Sequence, residues 1–134
     1  MGLVEELGTE LAGASTAFTV GTSLFLNQMP EEPNRVSAIV ETGGTAPSYV
    51  MGKALPAYEN ATVQITCRST SSAQARADAG RAWFAVSAIV NQDLSSVAWL
   101  RAVPLQSPFL LRRDEQGRVI FVFNASCTRR TTST

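Results

Sequence analysis

The sequence of 134 residues is the length of one domain, and 45% apolar against 16% charged residues favours a folded core over disorder. Eleven lysines and arginines balance eleven aspartates and glutamates, which argues against a general polyanion binder. The chain contains no histidine, which excludes Ser-His and Cys-His nucleophile pairs and simple imidazole acid–base chemistry and favours a protein that is not an enzyme.

The first part of the chain predicts one helix and two strands. Apolar residues recur at helical spacing over residues 3–14, with glutamates on the other side, which predicts an amphipathic helix. Residues 18–26 are rich in β-branched and aromatic side chains and predict a strand broken near its glycine. Two prolines indicate a loop at 29–34. Residues 35–42 predict a second strand that stops at the glycine pair 43–44.

The middle of the chain predicts an irregular segment, a strand and a long helix. Residues 45–59 contain two prolines and a glycine and are expected to be irregular, whereas alternation over residues 61–68 predicts a half-buried strand. A helix capped by Ser71 or Ser72 is predicted to run to about Asn91, with polar residues such as Asp78 in solvent. The predicted apolar stripe of this helix comprises Ala75, Ala79, Ala82, Val86 and Ile89, widened by Trp83 and Val90.

The last third predicts three strands and a polar tail. Residues 97–106 predict a strand with a proline near its end. Two further strands, 109–113 and 118–127, flank the sequence DEQG at 114–117, which is a four-residue hairpin signal. The polar residues 128–134 are expected to fray.

This order of elements predicts an α+β fold in a single domain, residues 1–134. Short turns between strands imply antiparallel pairing. We therefore expect an antiparallel sheet of strands of unequal length, with the N-terminal helix and the long helix packed on one face.

The lack of an expected export signal and the spacing of the cysteines indicate a protein made in the cytosol. Glu5 and Glu6 occupy the region where a secretory signal carries positive charge, and the apolar stretch 82–90 is too short to span a bilayer, so no membrane contact is expected. Cys67 and Cys127 are separated by 60 positions without metal-ligand spacing. We interpret them as buried thiols rather than a disulfide.

Charge is balanced in sum but not along the chain. Residues 1–41 hold six acids and one arginine, a net charge of −5, and residues 101–134 hold six arginines and two acids, a net charge of +4. One interpretation is an ordinary solvated surface. The other is that copies of the chain pack side by side, with the acidic part of one against the basic part of the next.

The residues offer few candidates for catalysis. Asp114 and Glu115 are neighbours at a hairpin tip, whereas a glycosidase needs two carboxylates that face each other across a substrate. A nucleophilic Cys67 or Cys127 needs a partner that lowers its pKa, and no histidine is present. We expect no catalytic residue, cofactor or metal.

Arginines cluster near the carboxyl end of the chain. Arg112, Arg113 and Arg118 bracket the hairpin, and Arg129 and Arg130 follow the last predicted strand. Nucleic-acid binding is the weaker interpretation, because net charge is zero and the nearby aromatic residues alternate as core residues do. A protein–protein interface, where arginine pairs with carboxylates, fits better.

The carboxyl half also resembles a known family. The ending WLRAVPLQSPFLLRRDEQGRVIFVFNASCTRR is similar to that of the tail terminator proteins of long-tailed bacteriophages, also called minor capsid or tail completion proteins. The segment ATVQITCRSTSSAQARADAGRAWFAV resembles their strand with a terminal arginine, here Arg68, followed by a long helix, and VSAIVETGGTAP resembles their strand ending in a glycine pair. The likeness covers roughly residues 1–130 and departs at Leu111-Arg112, where a glycine is common. The residues that match the family's ending are Pro108, Arg113, Asp114, Glu115, Gly117, Arg118, Phe123, Asn124 and Arg129.

The resemblance implies a structural virion protein at the head–tail junction. Such proteins form rings of about six copies that close on the last ring of the tail tube, stop its polymerisation and face the head connector. The implied partners are further copies of the chain, the major tail tube protein and head–tail connector proteins. Nucleic acid is implied only as DNA that passes through the ring lumen.

Eight residues are the predicted subunit or tube interface: Arg68, Arg112, Arg113, Asp114, Glu115, Arg118, Arg129 and Arg130. We expect reversal of Arg113 and Arg118 to glutamate to weaken docking while the fold stays intact. Two alternatives remain open: a head-completion or connector adaptor protein, and a small ligand-binding or enzymatic domain. The second of these predicts a concave pocket with convergent polar groups.

Overall fold

The structure is a computed structural model that describes residues 2–49 and 56–131. Two helices and seven strands in these residues confirm the predicted α+β class. Neither helix is both long and apolar enough to cross a membrane within these described ranges. The elements are α1 (Leu3–Ala14), β1 (Leu24–Leu26), β2 (Val36–Tyr49), β3 (Pro56–Ser69), α2 (Ser72–Ser87), β4 (Val90–Leu94), β5 (Val97–Pro104), β6 (Phe109–Arg113) and β7 (Val119–Arg130).

The strands form one sheet in the order β1-β2-β3-β7-β5-β4, and β6 also pairs with β7. The pairs are antiparallel except for the short parallel pair of β1 and β2. One edge of β7 pairs with β3 along its whole length, from Val119 to Arg130. Its other edge pairs with β6 from Val119 to Val122 and with β5 from Ala125 to Arg129. β7 therefore lies inside the sheet, between β3 on one side and β5 and β6 on the other.

Both helices pack on one face of the sheet, as predicted. Leu7 and Leu11 of α1 belong to the same buried cluster as Ala82 of α2 and Ile65 and Phe123 of the sheet. The small side chains at the start of the α2 stripe are fully buried, which lets the helix backbone lie close to β3 and β7. Phe123 and its neighbour in the alternation, Phe121, are buried core residues rather than stacking platforms.

Several predicted elements are confirmed. The first helix spans residues 3–14, the alternating residues 61–68 lie in β3, and β6 and β7 form the predicted hairpin. α2 begins where the sequence placed its cap, because the Ser71 Oγ accepts a hydrogen bond of 3.3 Å from the Gln74 backbone N–H.

The predicted strand at residues 18–26 is wrong for most of its length. Only Leu24–Leu26 form a strand, because the Thr19 carbonyl accepts hydrogen bonds from the N–H groups of Thr22, Ser23 and Leu24 and closes a turn.

β2 does not stop at the glycine pair, and the segment predicted to be irregular, residues 45–59, is strand at both of its described ends. The strand passes through a register shift between Glu41 and Gly43, which has a φ of +113°, and continues to Tyr49. Residues 45–49 and 56–59 are therefore strand, and residues 50–55 lie outside the described residues.

The predicted long helix is four residues too long. It ends at Ser87, and Asn91 belongs to β4 rather than to the helix. β4 turns back into β5 through Ser95 and Ser96, which both have positive φ and replace the usual Asn-Gly pair. The Asp78 side chain, predicted in solvent, is buried and accepts hydrogen bonds from Arg35 and Arg81.

The predicted boundaries at the carboxyl end also shift. The strand predicted at 97–106 ends at Pro104. Residues 128–130 do not fray, because they pair with β3 and partly with β5, while residues 132–134 lie outside the described part of the chain.

Two glycines give a test of the close packing between β2 and β3. A Cβ added at Gly44 would overlap the Asn60 carbonyl oxygen and lie 2.8 Å from the Ala61 Cα, whereas one added at Gly80 in α2 meets no described atom within 4 Å. We expect Gly44→Ala to lower the free energy of unfolding by about 1–3 kcal/mol. The control Gly80→Ala should leave it unchanged or raise it by up to about 1 kcal/mol, because alanine favours helix. Urea unfolding followed by circular dichroism measures both, and equal losses would contradict the packing described.

Candidate interaction surface

β6 and the turn that leads from it into β7 carry five of the eight predicted interface residues, and the turn is well defined. The Asp114 N–H donates to the Arg118 carbonyl at 2.9 Å, and the Gly117 N–H donates to the Asp114 carbonyl at 3.0 Å. Gly117 has a φ of +77°, which glycine adopts without steric cost. The register shifts between Leu110 and Arg112, the place where the sequence departs from the family pattern.

Arg118 is buried, with 3% of its side chain exposed, and ties the hairpin to a loop remote in sequence. Its Nε donates to the Asp114 Oδ2 at 2.6 Å, and its Nη1 donates to the Glu31 carbonyl at 2.5 Å. Partial burial alone would raise the pKa of Asp114, but hydrogen bonds from the Arg118 backbone and guanidinium and from the Gln116 N–H outweigh it and hold that pKa below its ordinary value.

Arg68 is buried beside Arg118 and binds the same loop. Its Nη2 donates to the carbonyls of Pro30 at 2.7 Å and Pro33 at 2.8 Å. We call residues 30–34 the arginine-bound loop. Burial and the nearby charge of Arg118 lower the pKa of Arg68. The two arginines thus donate to backbone carbonyls of the arginine-bound loop and hold it against the hairpin.

Arg129, at the far end of β7, joins the first helix to the last strand. Its Nη1 donates to the buried Glu6 Oε2 at 2.6 Å, and its Nε donates to a Glu59 carboxylate oxygen. The Trp99 Nε1 donates to the other Glu6 oxygen at 2.7 Å. The buried carboxylate of Glu6 therefore has a partner at each of its oxygens, as burial of a charge requires.

Part of the uneven charge along the chain is paired within one copy. Glu6 and Glu31, from the acidic first part, form ion pairs with Arg129 and Arg118 from the basic last part. The Glu31 carboxylate is 82% exposed and lies 3.5 Å from Arg118, so that pair is weak. The sequence-level charge split consequently overstates the charge left for other molecules.

The predicted interface residues separate into buried and exposed groups. Arg68, Arg118 and Arg129 are buried and bound within the protomer, and Asp114 is 14% exposed and bound to Arg118. Arg112, Arg113, Glu115 and Arg130 are exposed. Because Arg118 is buried, the expectation that it can be reversed to glutamate without disturbing the fold is wrong.

Five of the eight residues line one polar cavity of about 340 Å³ between the arginine-bound loop and the hairpin. They are Arg68, Arg112, Asp114, Glu115 and Arg118, and the cavity also contacts Met29, Glu31, Gln116 and Ile120. Arg129 and Arg130 lie about 36 Å away along β7, at about 3.3 Å per residue, so they do not share this site. Asp114 and Glu115 are adjacent turn residues and do not face each other across the cavity.

Exposed apolar residues on β6 were missed by the sequence analysis. All five β6 side chains are exposed, and three of them are Phe109, Leu110 and Leu111. A strand packed against a core alternates buried and exposed residues. Three consecutive apolar residues followed by two arginines break that alternation, and this was the signal in the sequence for an exposed apolar strand.

The two cysteines are free and buried, as predicted. Burial raises the pKa of each thiol to about 12. The Ser37 Oγ donates to the Cys67 Sγ at 3.2 Å. Within residues 2–49 and 56–131, acidic and cysteine side chains form no group of three that could hold a metal ion.

Two arginines of the same hairpin provide a matched pair for testing burial. Arg118→Met removes the guanidinium that donates to the Asp114 Oδ2 and to the Glu31 carbonyl, which keeps a 3.1 Å hydrogen bond from the Arg68 Nη2. We expect it to lower the free energy of unfolding by about 2–3 kcal/mol. Arg113 is exposed, and among the described residues its side chain donates only to the Gly117 carbonyl, at 3.3 Å, so Arg113→Met should change the free energy of unfolding by less than about 0.5 kcal/mol. Denaturant unfolding at low protein concentration measures both. Similar losses in the two variants would contradict the role assigned to Arg118.

Comparison with known families agrees with the resemblance seen in the sequence. A family model described as bacteriophage tail terminator protein matches residues 14–131, which include every strand and α2. No curated protein matches the chain. Because the match covers well over half of the sequence, the chain belongs to the bacteriophage tail terminator protein family.

Proposed function

We propose that this protein forms a ring that caps the phage tail tube, stops its polymerisation and offers a surface to the head connector. Its family is one of structural components of the phage tail. The ring, of about six copies as the family resemblance implies, would lie at the head–tail junction with DNA passing through its lumen. Its partners would be further copies of the chain, the major tail tube protein and connector proteins.

The observation that carries this proposal is the exposed strand β6. Phe109, Leu110 and Leu111 are each between 42% and 53% exposed, and they continue into the exposed Arg112 and Arg113. Apolar residues with arginine beside them are the composition of protein–protein interfaces. An edge strand that exposes apolar residues is also a site where another chain can add to the sheet.

The exposed residues of the hairpin support an interface role, whereas the buried arginines contribute by holding the hairpin and the arginine-bound loop in place. Arg68 and Arg118 fix the arginine-bound loop against the hairpin and thereby hold the surface that Arg112, Arg113 and Glu115 present. The family match supports a terminator over the alternative head-completion adaptor.

A pair of charge reversals on exposed strand arginines tests the proposal. Arg112 in β6 and Arg101 in β5 are both exposed, and neither side chain has a hydrogen-bond partner among the described residues. We expect Arg112→Glu to weaken assembly or tube capping by about tenfold, because it puts a repulsive charge at the interface, and Arg101→Glu to change it much less. Analytical ultracentrifugation of the protein alone and with purified tail tubes measures both steps.

Two results would contradict the proposal. A wild-type chain that stays monomeric and neither binds nor caps tubes would remove the function itself. Equal behaviour of the two reversals would remove the hairpin from the interface.

A further inference from the structure

The sheet has open edges that differ from one another. β6 pairs with β7 on one side, and no described strand pairs with its other side. β1 covers the outer side of β2 only from Ser37 to Ile39, and the Asn27 side-chain oxygen accepts from the Glu41 N–H. Beyond Glu41, the outer side of β2 carries no further strand among the described residues. Open edges leave backbone N–H and C=O groups that can pair with another strand.

The side chains of these two edges are complementary. β6 presents three bulky apolar residues and ends in Arg112 and Arg113. Residues 42–47 of β2 have the sequence TGGTAP, whose side chains are small, and all are exposed. Glu41 is exposed at the inner end of this stretch. Bulky residues therefore face small ones and arginines face a carboxylate if the two strands pair.

β4, the edge strand at the opposite end of the sheet from β1, lacks these properties. Its exposed residues are Val90, Asn91 and Asp93, and its remaining large apolar residue, Leu94, is buried. The acidic Asp93 would repel Glu41 rather than attract it. Charge and apolar surface thus favour β6 over β4 as the strand that pairs with β2.

We infer that β6 of one copy adds to the outer edge of β2, residues 42–49, in the next copy. The inference rests on the proposed ring and names the contact that builds it. Because the two edges are different surfaces, the contact is head-to-tail, and each added copy leaves one open β6 and one open β2 until the ring closes. In an isolated copy the two arginines of β6 oppose uncontrolled edge-to-edge aggregation, as charged side chains on edge strands do.

Paired cysteines test this contact directly. Thr45 and Leu111 are both exposed, and within one copy β3 and β7 separate their strands by about three inter-strand spacings, or 14 Å. The native Cys67 and Cys127 are buried and leave a low background. The double variant Thr45→Cys/Leu111→Cys, assembled alone or on tail tubes, is treated with a short bismaleimide and analysed on a denaturing gel.

We expect the double variant to give a ladder of covalent multimers that ends at the closed ring. A mixture of the two single variants should give dimers only, because each copy then offers one reactive edge. The matched control Thr45→Cys/Val90→Cys replaces the β6 cysteine by one on β4 and should give no ladder. In addition, Leu111→Lys should weaken self-association at least about tenfold, since a buried interface leucine is lost.

Three results would overturn the inference. Cross-linked dimers of Leu111→Cys alone would show that β6 pairs with β6. The second is that the double-cysteine variant forms rings that cap tubes normally but give no ladder, while Leu111→Lys assembles fully. This pair of results would leave the proposed function in place and remove this contact. Rings of Leu111→Lys that assemble but no longer cap tubes would assign β6 to the tube protein instead.

Discussion

The fold depends on three arginines whose charges are buried. A guanidinium group is tolerated away from water only when its donors find acceptors, and Arg68, Arg118 and Arg129 each find them in a segment remote in sequence. Arg68 and Arg118 hold the arginine-bound loop against the hairpin, and Arg129 joins α1 to β7 through Glu6. The arginine-bound loop and α1 are therefore held at opposite ends of β7. This constraint determines which charges remain for other molecules.

The sequence predicted those features whose causes are local. The helical spacing of residues 3–14, the serine cap of α2 and the DEQG turn each act within a few residues, and each is found in the structure. The hairpin itself was predictable in position and turn, including its glycine at 117. The fates of its arginines were not. Arg113 and Arg118 are the same residue type on either side of the four-residue turn, and only the loop brought over by the fold buries one of them.

The incorrect predictions have physical causes of the same kind. The glycine pair normally ends a strand, but pairing with β3 on one side carries β2 past it. The α2 stripe continues in sequence beyond Ser87, yet β4 pairs with β5 and includes residues 90 and 91, which were predicted to be helix. Ser95 and Ser96 adopt positive φ values that their type seldom shows, so the turn between these strands gave no signal. In each case pairing with a distant strand outweighed local preference.

The buried arginines stabilise the single copy, and the exposed β6 is the strand proposed to contact other copies. Hydrogen–deuterium exchange of the free chain and of the chain assembled on tail tubes measures both in one experiment. We expect β7 amides to be protected in both states, and the exchange of β6 amides and of those in residues 42–49 to slow by at least about tenfold on assembly. Assembled protein in which β6 exchanges as fast as in the free chain would contradict this expectation.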